Sequence, residues 1–153
     1  MQVRFLVAAM FAMLLAACNP MAQLDDSEAA ITKFHETYNT GDARALYGLT
    51  SAEFREATPA KDMVALVESV SERMGAVQSS EREGVNLNTN NGLTITTITM
   101  KTQFEKGEGI ETFTFHGTGD DLRLVGWNID SPNFADIPED AVTVVDNDPA
   151  AEE

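Results

Sequence analysis

The hydrophobic period of this chain changes once, at Gly75, and that change decides the fold class. Upstream, Met63, Leu66, Val67, Val70, Met74 and Val77 fall at i, i+3, i+4, i+7, i+11 and i+14, one stripe of an amphipathic helix with Gly75 as its expected end. Downstream the period is two. Leu93–Phe104 (LTITTITMKTQF), Ile110–His116 (IETFTFH) and Leu122–Asp130 (LRLVGWNID) are rich in β-branched and aromatic residues and read as strands. A fourth strand is expected from about Val77 to Leu87, with Asn88–Gly92 as its turn. Lys106–Gly109 and Gly117–Asp120 separate the others as hairpin loops. Loops this short join antiparallel neighbours, so the strands form a meander. Helices followed by a run of strands give an α+β layer packing, with N-terminal helices on a curved sheet of about four antiparallel strands.

The upstream segment carries its own punctuation. Asp25-Asp26-Ser27-Glu28 has the spacing of a capping box and predicts a helix containing Ile31, Phe34 and Tyr38, stopped at Asn39-Thr40-Gly41. A short helix is expected over Asp42–Leu49, and Thr50-Ser51-Ala52-Glu53 opens a further turn or two around Phe54. Thr58-Pro59 supplies an N-cap and a proline at the first helical position, where its missing N–H costs nothing. In the strands, alternation places Phe113 and Phe115 on one face, with His116 opposite them beside Ile110, Thr112 and Thr114. Val125, Trp127 and Ile129 share a face of the last strand. Both faces of Leu93–Phe104 carry apolar residues, which predicts a bulge or bend there.

The N-terminus bounds where the protein resides. Arg4 precedes a thirteen-residue apolar run, Phe5–Ala17, too short to cross a bilayer, which needs roughly twenty residues, and so a secretory signal. Leu15-Ala16-Ala17-Cys18 resembles the lipobox of bacterial lipoproteins. That resemblance implies cleavage after Ala17 and acylation of Cys18; an ordinary signal with an incidental cysteine, or an uncleaved anchor, is the alternative. The expected organisation is a signal peptide over 1–17, a lipidated N-terminus and tether over 18–26, one domain over 27–132 and an acidic mobile tail over 133–153. In enteric bacteria an aspartate after the cysteine favours the inner membrane. Asn19 stands there, which leans toward the periplasmic face of the outer membrane. The single cysteine leaves no disulfide. Processing removes one base and no acid, leaving 9 bases against 25 acids, a net charge of −16. That balance, with bases scattered singly, argues against nucleic acid or bare anionic lipid as a partner and is explained by solubility alone.

Three stretches together, FHETYNTGDARALYGLTSAEFR (34–55), the helix end MGAV (74–77) and LRLVGWNIDSP (122–132), resemble the nuclear transport factor 2-like superfamily, in a branch of small bacterial proteins. The resemblance covers roughly residues 27 to 132. It implies a cone-shaped α+β fold whose pocket lies between the curved sheet and the first helices. It implies no single activity, because that superfamily hosts isomerases, dehydratases, epoxide hydrolases, adaptors and binding proteins. Phe34, Tyr38, Phe113 and Trp127 are the candidate pocket residues, and Trp127 with Phe113 is more readily core than a ligand platform. His35, His116 and Asp130 are the acid–base candidates, Asp130 being also an ordinary turn residue before Ser131-Pro132. No enzyme motif of the superfamily matches these positions, so no catalytic residue is assigned.

Two distant histidines without a second cysteine give no metal-ligand spacing, and Asp146-Asn147-Asp148 lacks the glycine turn and distal glutamate of a calcium loop. No phosphate-cradling loop is present, so no cofactor is expected. Three readings follow. The first is a non-enzymatic envelope lipoprotein that binds a small apolar ligand or a protein partner in its cone. The second is an isomerase or lyase using a His/Asp group there. The third is an assembly lipoprotein acting through a homodimer across the sheet face.

Overall fold

A computed structural model describes residues 20–135; the signal peptide with Cys18, and the acidic tail beyond Ala135, lie outside the described residues. Helices α1 (Pro20–Asn39), α2 (Ala43–Gly48), α3 (Ala52–Ala57) and α4 (Ala60–Met74) precede strands β1 (Val77–Asn90), β2 (Leu93–Phe104), β3 (Gly107–His116) and β4 (Arg123–Asp130). The strands form one curved antiparallel sheet in the order β1-β2-β3-β4, with α1 and α4 packed on its concave face and α3 at the β4 edge. This is the α+β meander that the period change at Gly75 predicts.

The helix boundaries follow local chemistry, with three corrections. Helix α1 starts at Pro20, well before the capping pattern at Asp25. Proline is compatible with a first turn, and Gln23 fastens that turn by donating to Thr96 Oγ1 and to the Gly117 carbonyl, both at 3.1 Å. Residues 20–26, expected as tether, are therefore helix docked on the sheet. Ser51 rather than Thr50 caps α3, its Oγ accepting from Phe54 N at 2.9 Å. Pro59 rather than Thr58 stands at the N-cap of α4. Asp42 caps α2 as its position suggests, accepting from Ala45 N at 2.9 Å.

The sheet departs from expectation in its turns and bulges. The β1–β2 turn is only Asn91-Gly92, with φ of 51° and 82°, the left-handed pair that a two-residue hairpin turn requires. Strand β3 begins at Gly107, inside the expected loop. Strand β2 is unbroken; the register shifts fall on its neighbour β1, between Val77 and Ser79 and between Arg82 and Gly84. In β4 a further shift makes Val125 the extra residue, because Thr114 pairs with Gly126 and Phe115 with Leu124. Leu124 therefore joins Trp127 on the core face, and Val125 does not.

The core is the space between α1, α4 and the sheet, filled by Ile31, Phe34, Tyr38, Met63, Val67, Val70 and Met74 against Ile98, Met100, Phe104, Phe113, Phe115 and Trp127. The chain beyond β4 is also fastened. A 3₁₀ turn over Pro132–Phe134 holds Asn133 and Phe134 on the end of α4, where Arg73 Nη1 donates to the Asn133 carbonyl at 3.1 Å. The expected tail boundary at residue 133 is therefore too early by at least this turn.

Candidate functional site

The interior of the cone is occupied by aromatic rings. Phe34 meets Phe113 edge-on at 5.3 Å and Trp127 at 4.9 Å, and Tyr38 lies 6.5 Å from Trp127. All four candidate pocket residues are buried in this packing. A part-open cavity of about 110 Å³ lies between α1 and β3–β4, lined by Phe34, Leu49, Phe113, Phe115 and Leu124 and by the exposed Lys33. Ligand sites usually hold about 300 Å³ or more, so this cavity is small for an organic ligand.

Beside the rings lies a polar cluster built around Glu111, a residue that sequence reasoning missed. Glu111 is 1 % exposed. Its Oε2 accepts from Thr102 Oγ1 at 2.6 Å and lies 2.8 Å from His35 Nε2. Its Oε1 accepts from Trp127 Nε1 at 2.9 Å. Strands β2, β3 and β4 and helix α1 each contribute one member. A carboxylate removed from water is tolerated because three donors replace its hydration. His35, an acid–base candidate from sequence, is 8 % exposed and turned inward by this contact. The signal was present: the alternation that buries Phe113 and Phe115 also carries Glu111 inward.

The other acid–base candidates are not brought together. His116 ends β3 opposite Arg123, while Asp130 pairs with Ile110 at the far end of the same ladder. Six residues of strand separate those ends, about 20 Å. Asp130 borders a shallow depression with Glu108, Ser131 and Phe134. His116 instead meets Glu53 of α3, Nδ1 to Oε2 at 3.4 Å, a pair half open to water and worth at most about 1 kcal/mol.

That His116–Glu53 contact stands beside an open groove between α3 and the sheet. Ser51 N donates to the Leu124 carbonyl at 2.8 Å, and Thr50 bridges to Leu124 in parallel, so α3 starts at the free edge of β4. The helix then folds over the outer face of the sheet. Tyr47 locks it there by donating to the carbonyls of Arg55 and Thr58 at 3.2 and 3.0 Å. Between α3 and the outer face of β3–β4 runs a groove of about 350 Å³. Glu53, Phe54, Ala57 and Thr58 form one wall; Thr112, Thr114, His116, Val125, Trp127 and Asn128 contribute to the floor and the other wall. Its floor is thus made of hydroxyls, an amide and an imidazole over an apolar margin, able to hydrogen-bond a small polar molecule or an extended peptide.

Among the described residues no cluster of three or more His, Cys, Asp or Glu is arranged to hold a metal ion. No helix of the described residues is long and apolar enough to cross a membrane. A scan of protein-family models and a search of curated proteins found no match to this chain.

Proposed function

We propose that the chain is a lipoprotein of the bacterial envelope, anchored through acylated Cys18, whose domain binds a ligand or partner without transforming it. The reading keeps the nuclear transport factor 2-like architecture, which the helices-then-meander order and the sheet curvature support. One observation carries the choice: the cone interior is filled by Phe34, Phe113 and Trp127, while the groove under α3 stays open with polar groups converging on it. These observations support binding at the outer face of the cone rather than inside it.

Two measurements test it. Labelled palmitate is incorporated into the wild type and lost in Cys18→Ser; incorporation that persists in the variant removes the anchor. A screen of small polar molecules and peptides raises the melting temperature of the wild type by mass action, and Thr114→Trp, which fills the groove, abolishes the shift. A shift unchanged in that variant places binding elsewhere.

A second reading is favoured by His116, the one titratable ring lining the groove. Acid–base catalysis at this imidazole requires a substrate proton within hydrogen-bond reach. It predicts turnover that His116→Gln eliminates while ligand binding persists. The dimer reading draws less support, because the middle of the outer sheet face presents Thr97, Thr99 and Lys101 of β2 and Thr112 and Thr114 of β3 rather than an apolar patch.

A further inference from the structure

The large apolar side chains most exposed among the described residues are Met21, Val85, Leu87 and Leu93. Three of them belong to one hairpin and the fourth to the first turn of α1. The seventeen residues from Gly84 to Met100 contain no charged residue, in a chain whose net charge is −15. No other described stretch is uncharged over such a length.

The positions of α1 and β1 bring this hairpin to the anchored end. Glu28 of α1 pairs with Arg82 of β1, and Gln23 reaches Thr96, whose partner across the ladder is Leu87. The two elements run antiparallel, so moving back along α1 moves forward along β1 toward the hairpin turn. From Gln23 to Pro20 the helix rises about 4.5 Å. Cys18 is two residues further, a reach of at most about 7 Å. From Thr96 to the turn at Gly92 the strand extends about 13 Å. Two residues of chain beyond Pro20 are therefore long enough for Cys18 to reach the level of the hairpin turn.

We propose that the β1–β2 hairpin lies on the bilayer surface beside the acylated Cys18 and fixes the orientation of the domain, an inference that rests on the lipoprotein reading above. The occupant of the exposed apolar side chains is the headgroup–acyl boundary of the anchoring membrane. Val85 and Leu87 are 48 % and 41 % exposed on the helix-side face of the hairpin, and Leu93 is 44 % exposed on the other. A hairpin with exposed apolar side chains on both faces suits an edge-on approach to an interface. Asn88, Asn90 and Asn91 at its end supply amides that hydrogen-bond headgroups without adding charge. The neighbouring β3–β4 loop carries Asp120 and Asp121, which an anionic surface repels, so the domain tilts with the hairpin down and that loop raised. The groove under α3 belongs to the β4 edge, across the sheet from the hairpin, and this tilt keeps it open to the periplasm.

The test uses the full acylated chain in vesicles of phosphatidylethanolamine and phosphatidylglycerol. With Cys18 acylated, Asn88→Cys and Glu68→Cys each carry one free thiol for a fluorophore, at the hairpin and near the opposite end of α1. Nitroxide headgroup lipids are expected to quench the label at residue 88 several-fold more than the label at 68. In the double variant Leu87→Asp/Leu93→Asp that excess disappears, with circular dichroism and acylation unchanged. Equal quenching at the two positions in an acylated protein overturns the inference alone. Protection of residue 88 that grows with protein density, as a second copy on the β1 edge would produce, also overturns it. Failure of acylation, read directly by mass, overturns the lipoprotein reading and this orientation together.

Discussion

At the residue scale, the cluster around Glu111 determines how much of the core depends on polar contacts. Removing the carboxylate leaves the Thr102 hydroxyl, the Trp127 N–H and the His35 ring facing a void. Each buried donor without a partner costs about 1–3 kcal/mol, and the costs overlap, so Glu111→Ala is expected to lose about 3–5 kcal/mol. Glu111→Gln keeps the shape and one acceptor oxygen but turns an amide NH₂ toward a donor; about 1–3 kcal/mol is expected. Urea unfolding followed by the emission of Trp127, the only tryptophan, reads both. An alanine variant within about 1 kcal/mol of wild type would show the cluster to be dispensable. Its inward position is legible in the sequence, since a period of two ties residue 111 to 113 and 115. The identity of its partners is not, because they come from three other elements joined only by the tertiary fold.

Tyr38 offers a second test at this scale. Its hydroxyl donates to the Gly75 carbonyl at 2.9 Å, and its pKa is pushed up to about 12, chiefly by burial, with the nearby Glu111 and Glu105 charges adding to the rise. Below about pH 10 folded and unfolded chains both hold the proton, and no pH dependence arises from it. From about pH 10 to about pH 12 the unfolded chain ionises while the folded one does not, so stability falls across that window by roughly 2–3 kcal/mol. Tyr38→Phe loses the hydrogen bond at every pH but has nothing to titrate. The stability advantage of wild type over Tyr38→Phe is therefore expected to shrink between about pH 9 and about pH 11.5. Parallel curves for the two proteins would mean that the hydroxyl ionises as readily in the folded state.

At the scale of elements, Gly75 is the joint between the helical layer and the sheet. It ends α4 at φ 75°, its N–H donates to the Ser71 carbonyl at 2.9 Å and its own carbonyl receives the Tyr38 hydroxyl. A Cβ there would stand 2.6 Å from Glu105 Oε2 and 2.9 Å from Glu105 Cβ. Glu105 must stay close because its Oε2 accepts from Ala76 N at 3.0 Å. Gly75→Ala therefore combines left-handed backbone strain with a clash and is expected to cost about 2–4 kcal/mol by chemical denaturation. A cost below about 1 kcal/mol would mean that Glu105 moves aside freely. The same residue marks the period change in the sequence, which is why the α-to-β boundary was legible there. The start of α1 was not. Its capping pattern at Asp25 is a local signal, whereas the extension to Pro20 depends on Gln23 finding Thr96 and Gly117, residues more than seventy positions away. The face switch at Val125 was hidden for a related reason, since a bulge is visible only against its partner strand.

For the whole molecule, fold class and strand order followed from periodicity and loop length, while the placement of the open groove did not. The resemblance put the pocket inside the cone. Residue volumes decide otherwise, because Phe34, Phe113 and Trp127 together fill the space that smaller side chains would leave open. What α3 then covers on the outer face depends on the Thr50–Leu124 bridge, a contact that no local pattern announces. Charge is the remaining property of the whole chain, and it sets an expectation opposite to that for a protein held by ion pairs. Acids outnumber bases 25 to 10. Among the described residues the lysine and arginine ion pairs are few and exposed: Arg82 with Glu28, Lys101 with Glu108 at 3.1 Å, and Lys61 with Asp62 at 4.0 Å. Each such pair contributes about 0–1 kcal/mol, and salt weakens it. Repulsion among the surplus carboxylates is screened by the same salt, since the Debye length falls from about 30 Å at 0.01 M to about 8 Å at 0.15 M. With acids outnumbering bases by 15, the loss of repulsion is expected to outweigh the loss of pairs. The melting temperature of the Cys18→Ser chain is therefore expected to rise by about 2–4 °C between those two concentrations, a gain near 1 kcal/mol. A fall over the same range would mean that the few pairs, rather than the surplus acids, govern the electrostatics of the folded state.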